Sequence, residues 1–164
     1  MGSDINRMEK VWDDFCTLVG GGSIPSEREM TLEFELGHAA GTARIAQFLA
    51  AKRELDIEIA FILGVLHDYG RIMTGSKKDH ARIGSNYVRE YLTQSNCFTE
   101  DEIEVLVRAV ANHSCKDELG SPFEELIKDA DVLDGFLAGR KPKKTESERR
   151  LESVFKEFDL KEMV

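Results

Sequence analysis

The chain has 164 residues, of which 41% are apolar and 32% charged, a length and balance that suit one hydrophobic core inside an ordinary water-facing surface. Its formal charge of −9 opposes non-specific binding to nucleic acid or to an anionic membrane, since both need a basic face, yet it permits a small anion held by local cations. No run approaches the ~20 apolar residues of a membrane span, and "MGSDINRMEK" lacks the apolar core of a signal peptide, so a cytoplasmic protein is expected.

Alternating apolar and polar runs are scarce and the helical period dominates, so the expected fold class is all-α, a single-domain bundle of about seven helices. The first predicted helix covers 4–19 and stops at "GGGS", residues 20–23. The second runs over 29–54. The third, 56–68, is apolar on nearly all sides and should be central. The fourth starts at Asp79 and ends near Gln94. The fifth opens at "TEDE", Thr99 to Glu102, a capping box. The sixth opens at "SPFE", Ser121 to Glu124, a second capping box with Pro122 at the first helical position. A basic linker, "GRKPKK" at 139–144, precedes a seventh helix over about 146–160, announced by "TESE", Thr145 to Glu148. The whole chain, 1–164, reads as one domain with a core over about 33–138 and the first and last helices as packing additions. Cys16, Cys97 and Cys115 are far apart, with no CxxC, which speaks against a disulfide frame or a zinc–thiolate site.

Four histidines occur: His38, His67, His80 and His113. His38 shares a face with Thr42, Ile45 and Leu49. His80 aligns with Ile83, Gly84, Tyr87 and Tyr91. His113 aligns with Ile103, Leu106, Val107 and Val110, and His67 closes the apolar third helix. Any one of them taken alone reads first as a core histidine bonded to a backbone carbonyl. Four inward histidines on four helices form the pattern of a metal site in a helical bundle. In "IKDADVLDGFL" the apolar stripe is Phe123, Ile127, Ala130, Leu133 and Leu137. Asp134 lies within it, Asp131 at its edge, and Asp129 points elsewhere.

His38, the pair His67-Asp68 in "LGVLHDYGRI", and Asp131 in "DADVLD" resemble the HD superfamily of metal-dependent phosphohydrolases, over about residues 33–138. His80 and His113 resemble the two extra histidines of branches that hold two metals. Those branches include dinucleoside-tetraphosphate hydrolases, cyclic-dinucleotide phosphodiesterases and a few di-iron oxygenases. The resemblance implies an all-α fold and one or two divalent transition metal ions. His38, His67, Asp68 and Asp131 would hold the first ion. Asp68 would bridge to a second, held by His80 and His113. Periodicity favours Asp134 as the inward carboxylate and the resemblance favours Asp131. Asp131 is therefore expected as the ligand, and Asp134 as a residue that positions ligand or substrate.

A donor set of imidazole and carboxylate without thiolate suits iron, manganese, nickel, cobalt or zinc. Two such ions roughly 3.5–4 Å apart can generate a hydroxide at neutral pH and clamp a phosphoryl group. The expected function is hydrolysis of a phosphate ester or anhydride, with a nucleotide as the substrate class. Asp68, Arg71 and Asp134 are the expected catalytic residues. Arg71 is also the first choice for binding phosphate, with Lys78 and Arg82, beside His80, as further choices. Lys77 and Lys78 read equally as a solvated turn, and "GRKPKK" as a solvated linker or a basic lip over the site. Cys115 reads as an inert thiol. The expected partner is a small phosphorylated compound, with no nucleic acid polymer and no membrane; a homodimer is left open. Two other classes stay open: a di-iron oxygenase on the same ligands, and a non-catalytic module that binds a nucleotide or a protein.

Overall fold

The third predicted helix is the one most enclosed by its neighbours. In the computed structural model, which describes residues 6–142 and 145–160, it runs Ile57–Leu66 as α3, with Ile62, Leu63, Val65 and Leu66 all buried. It packs against α2 (Leu32–Lys52), α7 (Pro122–Leu137), α1 (Arg7–Gly20) and α6 (Glu100–Asn112). Asp56 caps its first turn, accepting from the N–H groups of Glu58 and Ile59 at 2.8 and 3.0 Å. Gly64 lets it approach α2 closely, because a Cβ there would lie 2.4 Å from Ala43 Cα.

The remaining helices are α4 (Tyr69–Thr74), α5 (His80–Ser95) and α8 (Thr145–Glu157), making eight helices and no strand among the described residues. The architecture is all-α, as expected. The addition is α4, six residues inside a stretch read from sequence as a connection. It is too short to carry a helical period. Gly75 ends it in the left-handed region at φ 73°. Gly70 then meets Gly84 of α5, where a Cβ on Gly70 would lie 2.1 Å from the His80 carbonyl oxygen. That contact lets a short connection fold α5 back onto the end of α3.

The capping boxes at Thr99–Glu102 and Ser121–Glu124 are both present. Thr145 is the first described residue of α8, and residues 143–144 of the linker lie outside the described residues, as do positions 4 and 5 of the first predicted helix. The buried face of α5 is Ala81, Gly84, Ser85, Val88 and Leu92, about one position round from the face predicted. The small Gly84 and Ser85 bring that side against α4, and Tyr87 and Tyr91 are left half-buried. Leu137, expected in the stripe of α7, is 56% exposed.

Arg7 ties α1 to the core by ion pairs to Glu58 and Glu102. Leu151, Val154 and Phe155 of α8 join Leu126, Ala130 and Leu133 of α7 and Leu49 of α2 in a second apolar cluster. Lys128 is fully buried, its ammonium donating to the Glu118 carbonyl at 2.8 Å and to Glu125 at 3.1 Å, which meets the requirement that buried charge be paired. No helix among the described residues is long and apolar enough to cross a membrane.

Candidate metal centre

The break between α3 and α4 sets the geometry. His67 is the C-cap of α3 and Asp68 the N-cap of α4, so the two neighbours leave the helix axis together. His113 stands at the same place on α6, as its C-cap, and His80 opens α5. His38 comes from the second turn of α2 and Asp131 from the middle of α7.

Every imidazole uses Nδ1 on the protein. His67 donates to the Gly64 carbonyl at 2.7 Å, His113 to Val110 at 2.7 Å and His80 to Lys77 at 2.8 Å. His38 donates to Asp134 Oδ2 at 2.6 Å. Carbonyl and carboxylate oxygens only accept, so each Nδ1 carries a proton, and a ring in its neutral form turns its lone pair inward at Nε2. The core-histidine reading and the ligand reading therefore describe opposite ends of the same ring.

The Nε2 atoms gather in two pairs, His38 with His67 at 3.2 Å and His80 with His113 at 3.1 Å. Asp68 lies between the pairs. Its Oδ2 is 3.4 Å from Nε2 of both His38 and His67. Its Oδ1 is 3.1 Å from His80 and 3.3 Å from His113. Asp131 Oδ1 is 3.1 Å from His38 and 4.0 Å from His67. Lone pairs facing one another at these distances repel unless a cation or a proton lies among them, and His/Asp groups within 4.8 Å of one another could hold a metal ion here.

The same proximity sets the proton equilibria of the metal-free protein. Burial works against a charged His38, but Asp131, Asp134 and Asp68 outweigh it and hold its pKa well above the ordinary range. His80 is raised too, since Asp68 outweighs its burial. Burial pushes His113 down, and Asp68 does not offset that. Burial alone would raise Asp68 and Asp131; the imidazoles, and for Asp131 also Lys116, hold both well below the carboxylate range.

Asp134 lies beside His38, and Gly41 makes room for it: a Cβ there would lie 1.9 Å from Asp134 Oδ1. Arg71 is occupied, donating to Asp68 Oδ2 at 2.5 Å and to the buried Glu35 at 3.2 Å. Lys78 and Arg82 are exposed and do not line the cavity over the site. Arg82 is two residues past His80, nearly opposite it on the helix.

That cavity has a volume of about 360 Å³ and opens over His38 and Asp131. Its cations are Arg71, Lys77, Lys116, Arg140 and Lys141. The linker thus passes over the mouth as far as it is described. Lys116 was not foreseen: it donates to Asp131 Oδ2 at 2.6 Å and to the His113 carbonyl at 2.7 Å. Its position three residues after His113 was the only available signal. Glu35 was missed too; it lies one turn before His38 but is legible only through its pairing with Arg71.

A family model described as HD domain matches residues 36–135. Ribonuclease Y from Chlorobium phaeovibrioides is 29% identical over 121 residues, 73% of this chain and 21% of that protein. Ribonuclease Y from Chlorobium luteolum is 30% identical over 98 residues, 60% of this chain and 17% of that protein. The chain thus spans about a fifth of the length of the curated relatives it matches. A solved structure of a predicted HD superfamily hydrolase from an uncultured Thermotogales bacterium aligns with TM-score 0.62 at 18% identity, over 92% of this chain and 88% of that one. That likeness is one of fold.

Proposed function

The chain belongs to the HD domain family, and on that footing we propose that it is a metal-dependent phosphohydrolase that cleaves a phosphate ester or anhydride. The observation that carries the reading is the division of Asp68, with one oxygen toward His38 and His67 and the other toward His80 and His113. This is the donor arrangement for two ions: His38, His67, Asp68 and Asp131 for one, and Asp68, His80 and His113 for the other. The donor types suit iron, manganese, nickel, cobalt or zinc. Such ions, when bound, supply Lewis acidity toward phosphoryl oxygens and make water a better nucleophile near neutral pH.

The chain's own residues orient that chemistry. Asp134 and the three backbone carbonyls hold the Nδ1 protons, so the inward nitrogens stay basic. Arg71 is a positioning residue, tied between Asp68 and Glu35, that also adds positive charge at the cavity wall. Lys116 fixes Asp131 in the same way. Phe34 and Phe136 give the cavity an apolar side that can exclude water.

The relatives' name, Ribonuclease Y, supports a phosphodiester as one bond of the class, and it weighs against excluding nucleic acid polymer. The charge of −9 and a cavity of about 360 Å³ favour a small substrate, with a nucleotide as the first choice. The test is metal analysis of the purified protein, then a manganese- or iron-reconstituted assay on mononucleotides, cyclic dinucleotides and a short RNA. Metal-dependent release of phosphate or nucleotide is expected, fastest on the small substrates. Release from RNA alone would replace the nucleotide with a polymer end, and no release from any of them would overturn the reading.

A further inference from the structure

The five cations that line the cavity among the described residues are not equivalent. Arg71 is neutralised by Asp68 and Glu35, and Lys116 by Asp131. Both belong to the floor. Arg140 is held far more loosely. Its Nη2 is 3.4 Å from Asp134 Oδ2, an oxygen already receiving the His38 Nδ1 proton at 2.6 Å. It also lies 3.3 Å from that nitrogen, so two donors compete for one acceptor. What fixes its plane is Phe34, whose ring centroid is 4.7 Å from the guanidinium carbon. Lys77 and Lys141 are exposed and their ammonium groups make no ion pair among the described residues, though Glu29 stands near Lys77, accepting from its backbone N–H at 2.9 Å. Among the described residues, the only carboxylate lining the cavity is Asp131, which Lys116 already satisfies.

A chain with net charge −9 therefore brings three exposed or weakly held cations to the cavity: Arg140 and Lys141 from the linker, and Lys77 from the turn before His80. We propose that Arg140, Lys141 and Lys77 form a second anion subsite, which binds a negatively charged group of the substrate other than the phosphoryl group that is cleaved. The substrate class is then a compound with two separated anionic groups, such as a diphosphate or a phosphate with a neighbouring carboxylate. Arg140 is the reader of the second group: Phe34 keeps its fork in plane, and an incoming oxyanion offers better acceptors than the shared Asp134 oxygen. The proposal rests on the phosphohydrolase reading for what the first anion is, but the rim can be tested without turnover.

The probes are methylenediphosphonate and orthophosphate, titrated calorimetrically into the full chain in manganese buffer, where chelation by free metal is equal for every variant. The wild type is expected to bind the diphosphonate more tightly than orthophosphate. Arg140→Ala should weaken the diphosphonate about tenfold, the scale of one charged hydrogen bond, with Arg140→Lys intermediate. Lys141→Ala, which touches no proposed metal ligand, should weaken it about threefold by the loss of a rim charge. In Lys141→Ala, orthophosphate binding and metal content should stay within twofold. Equal diphosphonate binding in wild type and both alanine variants overturns the proposal. So does a parallel loss of orthophosphate, which would assign the effect to the metal centre, or a wild type with no preference between the probes. Failure of the phosphohydrolase reading registers separately, as absence of product from any phosphate ester.

Discussion

Asp134 accepts the Nδ1 proton of His38 at 2.6 Å across 96 positions of sequence. It is the carboxylate that holds the Nδ1 proton of His38, where the other three inward histidines use backbone carbonyls. Asp134→Ala is expected to weaken metal binding about 10–100-fold, the usual scale for losing the partner of a ligating imidazole, with Asp134→Asn between it and wild type. Competition with a chromophoric chelator measures this. Unchanged affinity in Asp134→Ala would remove Asp134 from any positioning role.

The glycines next to the site should separate effects on metal from effects on folding. At Gly41 a new methyl meets only the movable carboxylate of Asp134, 1.9 Å away, so Gly41→Ala should lose metal affinity as Asp134→Ala does, with little change in melting temperature. At Gly64 the methyl meets the Ala43 backbone at 2.4 Å, and Gly64→Ala should cost about 1–3 kcal/mol or more of stability by overpacking. Thermal denaturation of the two metal-free variants is the check. Equal melting temperatures would contradict the close approach of α2 and α3.

Asp68, with one oxygen toward each histidine pair, is the proposed shared donor. Asp68→Ala should abolish turnover and lose both ions, whereas His80→Ala or His113→Ala should lose one and keep the other. The fold should survive Asp68→Ala with a cost of about 1–3 kcal/mol, since Arg71 Nη1 loses its acceptor. Metal stoichiometry by mass spectrometry reads each case. A wild type that never exceeds one equivalent in excess manganese or iron would make the centre mononuclear.

Metal uptake should depend on pH with a definite sign. The His38 pKa lies well above its ordinary value of 6.5, so its protonation stabilises the metal-free fold fully below 6.5, and that contribution is lost as pH rises through the raised value. His80, also raised from 6.5, behaves likewise; His113, lowered from 6.5, acts in the opposite sense. Asp68 and Asp131 lie well below 3.8, so their contribution is complete above 3.8 and is lost as pH falls through the lowered values. Metal must displace the protons on His38 and His80, so apparent affinity should climb as pH rises above 6.5, with proton release on binding. Titrations in buffers of differing ionisation enthalpy measure the protons released. None released near neutrality would exclude His38 as a ligand.

Helix ends marked by local chemistry were legible in the sequence, as Thr99–Glu102 and Ser121–Glu124 illustrate. So was the inward set of four histidines, because each sits at a helical position fixed by its own neighbours. Partners chosen by tertiary contact were not. Lys78 and Arg82 were favoured for nearness in sequence to His80, whereas the cations at the cavity, Lys116 and Arg140, come from other elements. The six residues of α4 gave no periodic signal, and it is the Gly70–Gly84 contact, invisible along one segment, that turns α5 back.

Three of the inward histidines take their orientation from carbonyls at positions 64, 77 and 110, and a carbonyl is present whatever side chain the residue carries. Substitution at Lys77 or Val110 can therefore alter charge or packing without removing the acceptor that sets a tautomer. Mutational fragility in orienting the centre is concentrated on Asp134, and on Gly41, which leaves it space. A lineage drifting under selection for metal binding is expected to be freer at two of those three carbonyl positions than at this one pair, whose separation in sequence hides that they touch.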